Sequence, residues 1–588
     1  MLKSSKKRFL ALLVSVLLVL SVTACGSNNS STSASNSASA SGSTAESNTS
    51  ASSAMDTSPI TMTLGVRQDY GITQEGVFDR GVFPEIAKQT GITLSVQLYD
   101  ADKFQVLSAG GDLPEITMLY TDLAGVQSLA SSGQILPLDD LLNQYGQNLV
   151  KSFSKTFDYQ KKLFFSDGKT YVVAAPTTTN TDPKNPPAQG NVGFMPRYDI
   201  YKAIGSPKIS SEDDFLNVLK QMQDYARANI PASKSAYALS GFTDWGLWTI
   251  VPYLFQSGYR DTVNTNYLTN CVTGQLENMY LDTNNVFWKA WSFINKAYRM
   301  GIFDPEGFTQ KYQQFDDKLK NGEVLVSGYG WTQPDPAKLG NTAIFSYLPG
   351  VLPYVSVISP KYTVGDLSLG QVITTNCKNP GRAMQLMNYL ASDDGAMLLH
   401  NGVKGVDWDI VDGKPQIIGE RLNRIKAGTS LDYEQSIGIG PNNTLGFTIK
   451  ALLDDGSNAV LINSADFLSQ SSTEAMKSFA KDFDSSLSYP GQVYEKWVAD
   501  GTEKEITDYP IVFSLLKPTS DEDMQIEASV MQYVQANIAK PAMAKSDAEF
   551  ESAKADIIAA ITKLGEDKAN ADMMANFAQA QQDANKIQ

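Results

Sequence analysis

Histidine and cysteine are nearly missing from this sequence. Its 588 residues hold one histidine, His400, and three cysteines, Cys25, Cys271 and Cys377. A single imidazole removes most catalytic triads and multi-histidine metal sites. Three thiols build neither a zinc cluster nor a disulfide scaffold, and spacing alone leaves open whether Cys271 and Cys377 pair. Basic charge is also short: 48 Lys and Arg stand against 63 Asp and Glu, for a net charge of −15. Phosphate backbones need a basic surface, so nucleic acid is not an expected partner, and a strongly polyanionic ligand is disfavoured. The glycine-rich pieces lack GxGxxG and GxxxxGK[ST], so no nucleotide or other cofactor is expected. Asp182 with Asn180 and Asn185 lacks the acidic count and bidentate Glu of a calcium loop, and Ser166-Asp167-Gly168-Lys169 is a turn. No metal is expected. Beyond residue 22 no segment has the length and apolarity of a membrane span.

What is present begins at the amino end. Lys3, Lys6, Lys7 and Arg8 precede the apolar run Phe9 to Val22, which suits an export signal over residues 1–24 but is short for a spanning helix. Val22-Thr23-Ala24-Cys25-Gly26 resembles the lipobox of bacterial lipoproteins, in which small residues admit a peptidase and the cysteine sulfur takes the lipid. Residues 25–58 then consist of the lipidated Cys25 and a Ser-, Ala- and Asn-rich stretch. That composition has no apolar surface to offset ordering entropy, so a flexible tether with a reach of roughly 30 Å is expected.

The remaining chain is long enough for more than one core. Ile60, Met62 and Leu64 alternate as in a strand, 79–90 fits a helix, and Ile92, Leu94, Val96 and Leu98 alternate again. Gly110-Gly111-Asp112-Leu113-Pro114 turns into a further strand, ITMLY. This order predicts a parallel sheet with ligand loops at the carboxyl ends of its strands. Val192 to Met195 reads as a strand, Ser210 or Ser211 as the cap of an acidic helix start, and Phe287, Trp291, Ile294 and Tyr298 as a buried helical stripe. Glu323 to Ser327 reads as another strand. Asn379-Pro380 starts a helix, and Phe550, Ile557, Ile561 and Leu564 mark an amphipathic helix in an Ala- and Gln-rich tail.

Taken in order, GGDLPEI (110–116), GQILPLDDLL (133–142), DGKTYVVAA (167–175), FMPRYDIYKAIGSPKISSEDDFLNVL (194–219), INKAYRMGIFDPE (294–306) and ITTNCKNPGRAMQLMNYLASDDGAMLLHNGVKGVDWDI (373–410) resemble family 1 extracellular solute-binding proteins. The likeness is to the large lipoprotein branch found with carbohydrate importers of Gram-positive bacteria. It implies an α/β fold, a two-lobed periplasmic-binding-protein-like clamshell with a hinge and extra C-terminal helices. By that analogy lobe 1 holds 59–180 and 365–402, and lobe 2 holds 181–364 and 403–588, with a Pro- and Thr-rich crossover near 176–190. The resemblance also implies a monomer, lipid-anchored on the outer face of the cytoplasmic membrane, that delivers a solute to ABC permease subunits. The ATPase would be a separate chain.

Sugar rings offer apolar C–H faces and rims of hydroxyls, so a cleft for them wants aromatic faces and planar polar side chains. Aromatics in loops rather than helical stripes are the candidates: Tyr70 after the first strand, Tyr120 with Asp122 after ITML, Trp245 and Trp248 among glycines, Tyr329 and Trp331 after a strand, and Trp408 in GVKGVDWD. Arg197 can pair with Asp199, with a lobe neighbour or with an acidic sugar. Trp288 and Trp291 are expected in the core. Adjacent carboxylates such as Asp139/Asp140, Asp213/Asp214 and Asp454/Asp455 are the material for a glycosidase or lyase, which needs two carboxyls about 5–5.5 Å apart for a retaining mechanism, one of them with a raised pKa. A binding protein for an oligosaccharide is the expectation, with a peptide or other solute as ligand, or a sensor lipoprotein, as the alternatives.

Overall fold

The computed structural model describes residues 56–68, 72, 74–175, 192–261, 265–358, 366–427, 429–439, 445–447, 449–507 and 510–585. The expected export signal, Cys25, the tether up to residue 55, Tyr70 and the crossover 176–190 lie outside them. Among the described residues no helix is long and apolar enough to cross a membrane.

Alternation in the first strands produces the expected sheet. Ile60–Arg67 pairs in parallel with Ile92–Tyr99, Ile60 opposite Ile92 and Arg67 opposite Tyr99. Ile116–Met118 adds a third parallel strand. The return segment Asp366–Ile373 joins antiparallel, between Ile116–Met118 and Val173–Ala175, and completes six strands with Gly76–Val77 at the far edge. Met62, Leu64 and Val66 enter one core with Ile92, Leu94 and Val96, while Tyr99, Leu119, Leu367 and Val372 enter a second cluster of the same region. On strands Ile60–Arg67 and Ile92–Tyr99, residues of one parity thus share a core, as the period-two pattern requires.

The expected helix over 79–90 begins only at Val82, because Gly81 precedes it with φ 63°. A side chain at Gly81 would strike the carbonyl oxygen of Ile437, and Val82 N–H donates to that oxygen at 2.9 Å. This close approach brings a late segment of the chain onto the first sheet. Ile437, Ile439, Leu445, Phe447 and Ile449 belong to the first core. They share it with strands Ile60–Arg67 and Ile92–Tyr99, although the sequence grouping placed 403–588 with the second lobe.

A larger core gathers around the short antiparallel pair Val192–Pro196 and Val326–Tyr329. Ser211 caps helix Glu212–Asn229 by accepting from Asp214 N–H, and three carboxylates stand in its first turn, where helix N–H groups and dipole favour negative charge. Trp288 and Trp291 of helix Val286–Arg299 are buried in this core, as expected. Val530, Val534, Phe550, Ile557 and Ile561 of the C-terminal helices pack into it too. Asn295 holds the tail in place by donating to the carbonyls of Pro541, Ala542 and Ala544. A three-stranded antiparallel sheet, Tyr259–Asp261, Tyr267–Asn270 and Gln275–Asn278, sits beside these helices.

Candidate functional site

Four of the loop aromatics meet in one cluster on the second core. Gly241 to Trp248 forms a loop that turns at Gly246, φ 78°. Gln310 stitches it down: its side-chain amide donates to Gly241 O at 2.7 Å, and Thr243 N–H donates to Gln310 O at 3.0 Å. Asp244 then accepts from the backbone N–H of Tyr312, the first residue of helix Tyr312–Asn321, at 2.8 Å. The Trp245 ring lies flat on Tyr312, centroids 4.1 Å apart at 19°, and edge-on to Trp248 at 5.3 Å. On the other side Trp331 stacks on Tyr329 at 4.9 Å and 26°.

Polar bonds fix these rings. Trp331 Nε1 donates to Tyr312 Oη at 2.7 Å, and Tyr329 Oη donates to Trp248 O at 2.6 Å. Behind them Thr332 donates to Asp316, whose other oxygen holds Lys320 at 2.5 Å. Hydrogen bonding to Asp316 raises the Lys320 pKa, so the two charges offset each other. Tyr329 is almost wholly buried and backs the platform. Trp245 and Trp331 remain 40% and 49% exposed, which is unusual for so large an apolar ring held in place. Tyr312 was not among the expected residues: with Phe315 and Leu319 it reads as a helical core stripe, and its partner Trp245 is far away in sequence.

On the first core, Arg67 and Tyr120 sit at carboxyl ends of the parallel strands, where open α/β sheets bind ligands. The Arg67 guanidinium lies 3.8 Å over the Tyr120 ring. Beneath them Tyr99 donates its hydroxyl to Met118 O, and burial pushes its pKa well above the usual tyrosine range. Asp122 is exposed, and its carboxylate caps helix Leu123–Ser131 by accepting from Gly125 N–H at 2.8 Å.

Two expected ligand residues are taken up by contacts within the protein. The Arg197 side chain is 1% exposed and makes a two-pronged pair with Asp199 at 2.8 and 2.6 Å. Trp408 is buried with Met397, Ile417 and Leu461, and its Nε1 donates to Gly402 O at 3.1 Å. Cys271 and Cys377 do not form a disulfide. The carboxylate pairs are committed elsewhere. Asp139 accepts from Thr170 N–H and pairs with Lys161, and Asp213 pairs with Lys296. Asp454 is held by Lys151 and Lys450, which draw its pKa down to about 2, the opposite of what a general acid needs.

No family model and no curated protein sequence matches the chain. Solved structures do. An HMO-binding, ABC-transporter-associated solute-binding protein from Bifidobacterium longum infantis superposes with TM-score 0.58 at 15% identity, covering 89% of this chain and 99% of that one. The S. pneumoniae ABC-transporter substrate-binding protein FusA, in complex with kestose, gives TM-score 0.58 at 14% identity over the same shares, 89% and 99%. An extracellular solute-binding protein from Bifidobacterium longum subsp. infantis gives 0.56 at 14%, covering 88% and 98%. Across nearly its whole described length, this chain has the two-lobed α/β fold of ABC-transporter solute-binding proteins.

Proposed function

We propose that this chain captures an uncharged oligosaccharide outside the cell and passes it intact to an ABC permease, tethered to the membrane through a lipid on Cys25. The observation that carries the reading is the platform of Trp245, Tyr312, Tyr329 and Trp331, which holds two large rings part-exposed while fixing their orientation. Such rings suit the C–H faces of sugars, and preorganised contacts lose little entropy on binding. The side chains next to it offer no unpaired cation for an acidic sugar: Asp244 is acidic, and Lys320 is paired with Asp316. The fold supports the role, because proteins that share it are named as binding HMO or are seen with kestose. The sugar would lie between this platform and the Arg67–Tyr120 end of the first sheet, and closure of the lobes would shield it.

A thermal-shift screen against neutral oligosaccharides, uronate oligomers and short peptides tests this. A specific ligand at a hundredfold excess over its Kd adds about 2.7 kcal/mol of stability. The expected result is a shift with a neutral saccharide that is recovered unchanged. A shift with peptides alone overturns the carbohydrate assignment, and recovery of cleaved sugar overturns the non-catalytic one.

A further inference from the structure

The C-terminal helices carry a carboxylate where water does not reach. Glu566, first residue of helix Glu566–Asn585, is fully buried. Asn278 Nδ2, at the end of strand Gln275–Asn278, donates to one of its oxygens at 2.6 Å, and Asn266 Nδ2, just before strand Tyr267–Asn270, donates to the other at 3.0 Å. The same Asn266 amide reaches the backbone oxygen of Glu527 at 3.3 Å, in helix Asp521–Asn537. The Glu527 side chain joins the cluster and stands beside the Tyr267 hydroxyl. Three polar atoms here are buried without a hydrogen bond: Glu527 Oε1, Asn266 Oδ1 and the Tyr280 hydroxyl.

The charges facing this cluster are mostly negative. Glu527, Asp523 and Asp567 stand near, together with the hydroxyls of Tyr267 and Tyr280. On the sheet, Glu277 is turned to Asn270 and Asn285. Lys568 is committed to Asp523, Glu522 and Asp572. A helix N-terminus ordinarily favours a carboxylate. Here burial, helped by repulsion from Glu527 and Asp567, outweighs the hydrogen bonds from Asn278 and Asn266 that favour the charged form, and lifts the Glu566 pKa to about 7; burial raises Glu527 as well.

Helix Asp521–Asn537 also touches the aromatic platform. Gln535, two turns beyond Glu527, lies so close to Gly246 that a Cβ there would come within 3.1 Å of its Nε2. Gly246 follows Trp245 directly. We infer that the Glu566–Glu527 cluster is a proton-operated latch: uptake of a proton fastens the C-terminal helices to the three-stranded sheet, and its loss loosens them and, through Gln535, the seat of the Trp245 loop. The protonated carboxyl has an O–H to donate, which the charged form lacks, and the neighbouring Asn266 Oδ1 is buried without a hydrogen bond. Because the folded pKa lies above the unfolded one, the latch is fully closed below about pH 4.5 and weakens as pH rises through about 7.

Amide hydrogen exchange on the ligand-free protein tests the latch without reference to any sugar. After correction for intrinsic exchange, amides of helix Glu566–Asn585 and of strand Gln275–Asn278 should be protected about 30-fold more at pH 5.5 than at pH 8. Glu566→Gln, which stays neutral and keeps a donor at any pH, should abolish that difference. Glu527→Gln removes a repelling charge and should move the transition to lower pH, which keeps the test open even if Glu566→Gln does not fold. Protection that is the same at both pH values in the wild type, or a transition unmoved in Glu527→Gln, overturns the inference.

Discussion

Replacing Trp331 with alanine separates ligand contact from fold stability, because the ring is 49% exposed. A tryptophan side chain presents up to about 250 Å², so roughly 120 Å² stays open to a ligand. At about 25 cal/mol per Å², covering all of it gives about 3 kcal/mol and covering a single face about half that. Trp331→Ala should therefore weaken saccharide binding by roughly ten- to a hundredfold. Folding loses less specific support: the stack on Tyr329 and the hydrogen bond to Tyr312 together amount to about 1–3 kcal/mol. The variant should fold and melt cooperatively at a somewhat lower temperature. Titration calorimetry with the saccharide found in the screen reads the affinity, and a denaturant melt reads the stability. A folded Trp331→Ala protein that binds as tightly as the wild type refutes the platform.

Three further outcomes follow from buried groups. Arg197→Ala strands Asp199 without its partner and should cost about 3–5 kcal/mol of stability while leaving the affinity of the folded protein unchanged; normal stability with lost binding would return Arg197 to the ligand site. The single imidazole of the chain, His400, donates Nε2–H to Lys450 O at 3.1 Å, and desolvation holds its pKa down to about 4. Its NMR signal should not titrate between pH 8 and 5, and it should withdraw up to about 3 kcal/mol of stability as pH falls from about 6.5 through 4, opposite in sign to Glu566. Burial pushes the Cys377 thiol up to about 11, so iodoacetamide at pH 8 should label it only after unfolding, as peptide mass mapping would show.

Much of the first sheet was readable because its pattern is local. Alternation at Ile60, Met62 and Leu64 fixes which faces go inward, and the same alternation at Ile92 sets the register. The platform was readable in part: glycine-flanked tryptophans after a strand are poor core material, and Trp245, Trp248, Tyr329 and Trp331 do come together. Trp408 carries the same local signal, yet its ring packs against Leu461, a contact that no nearby residue announces. Asp122 follows a strand like a ligand residue, but the helix beginning at Leu123 claims its carboxylate as a cap. Tyr312 was hidden by its helical spacing, and Glu566 by looking like an ordinary acidic helix start until tertiary docking buried it. The return of Ile437 to Ile449 to the first core was invisible for the same reason, since their partners Val82 and Phe83 lie hundreds of residues earlier.

The most direct measurement is a crystal structure with a neutral oligosaccharide bound. Sugar rings lying against Trp245 and Trp331, with the chain's Arg67–Tyr120 end closing on the opposite side, are the expected result. An intact sugar seated elsewhere, such as the open pocket of Arg80, Val403, Arg424 and Tyr433, with both tryptophans bare, would contradict it.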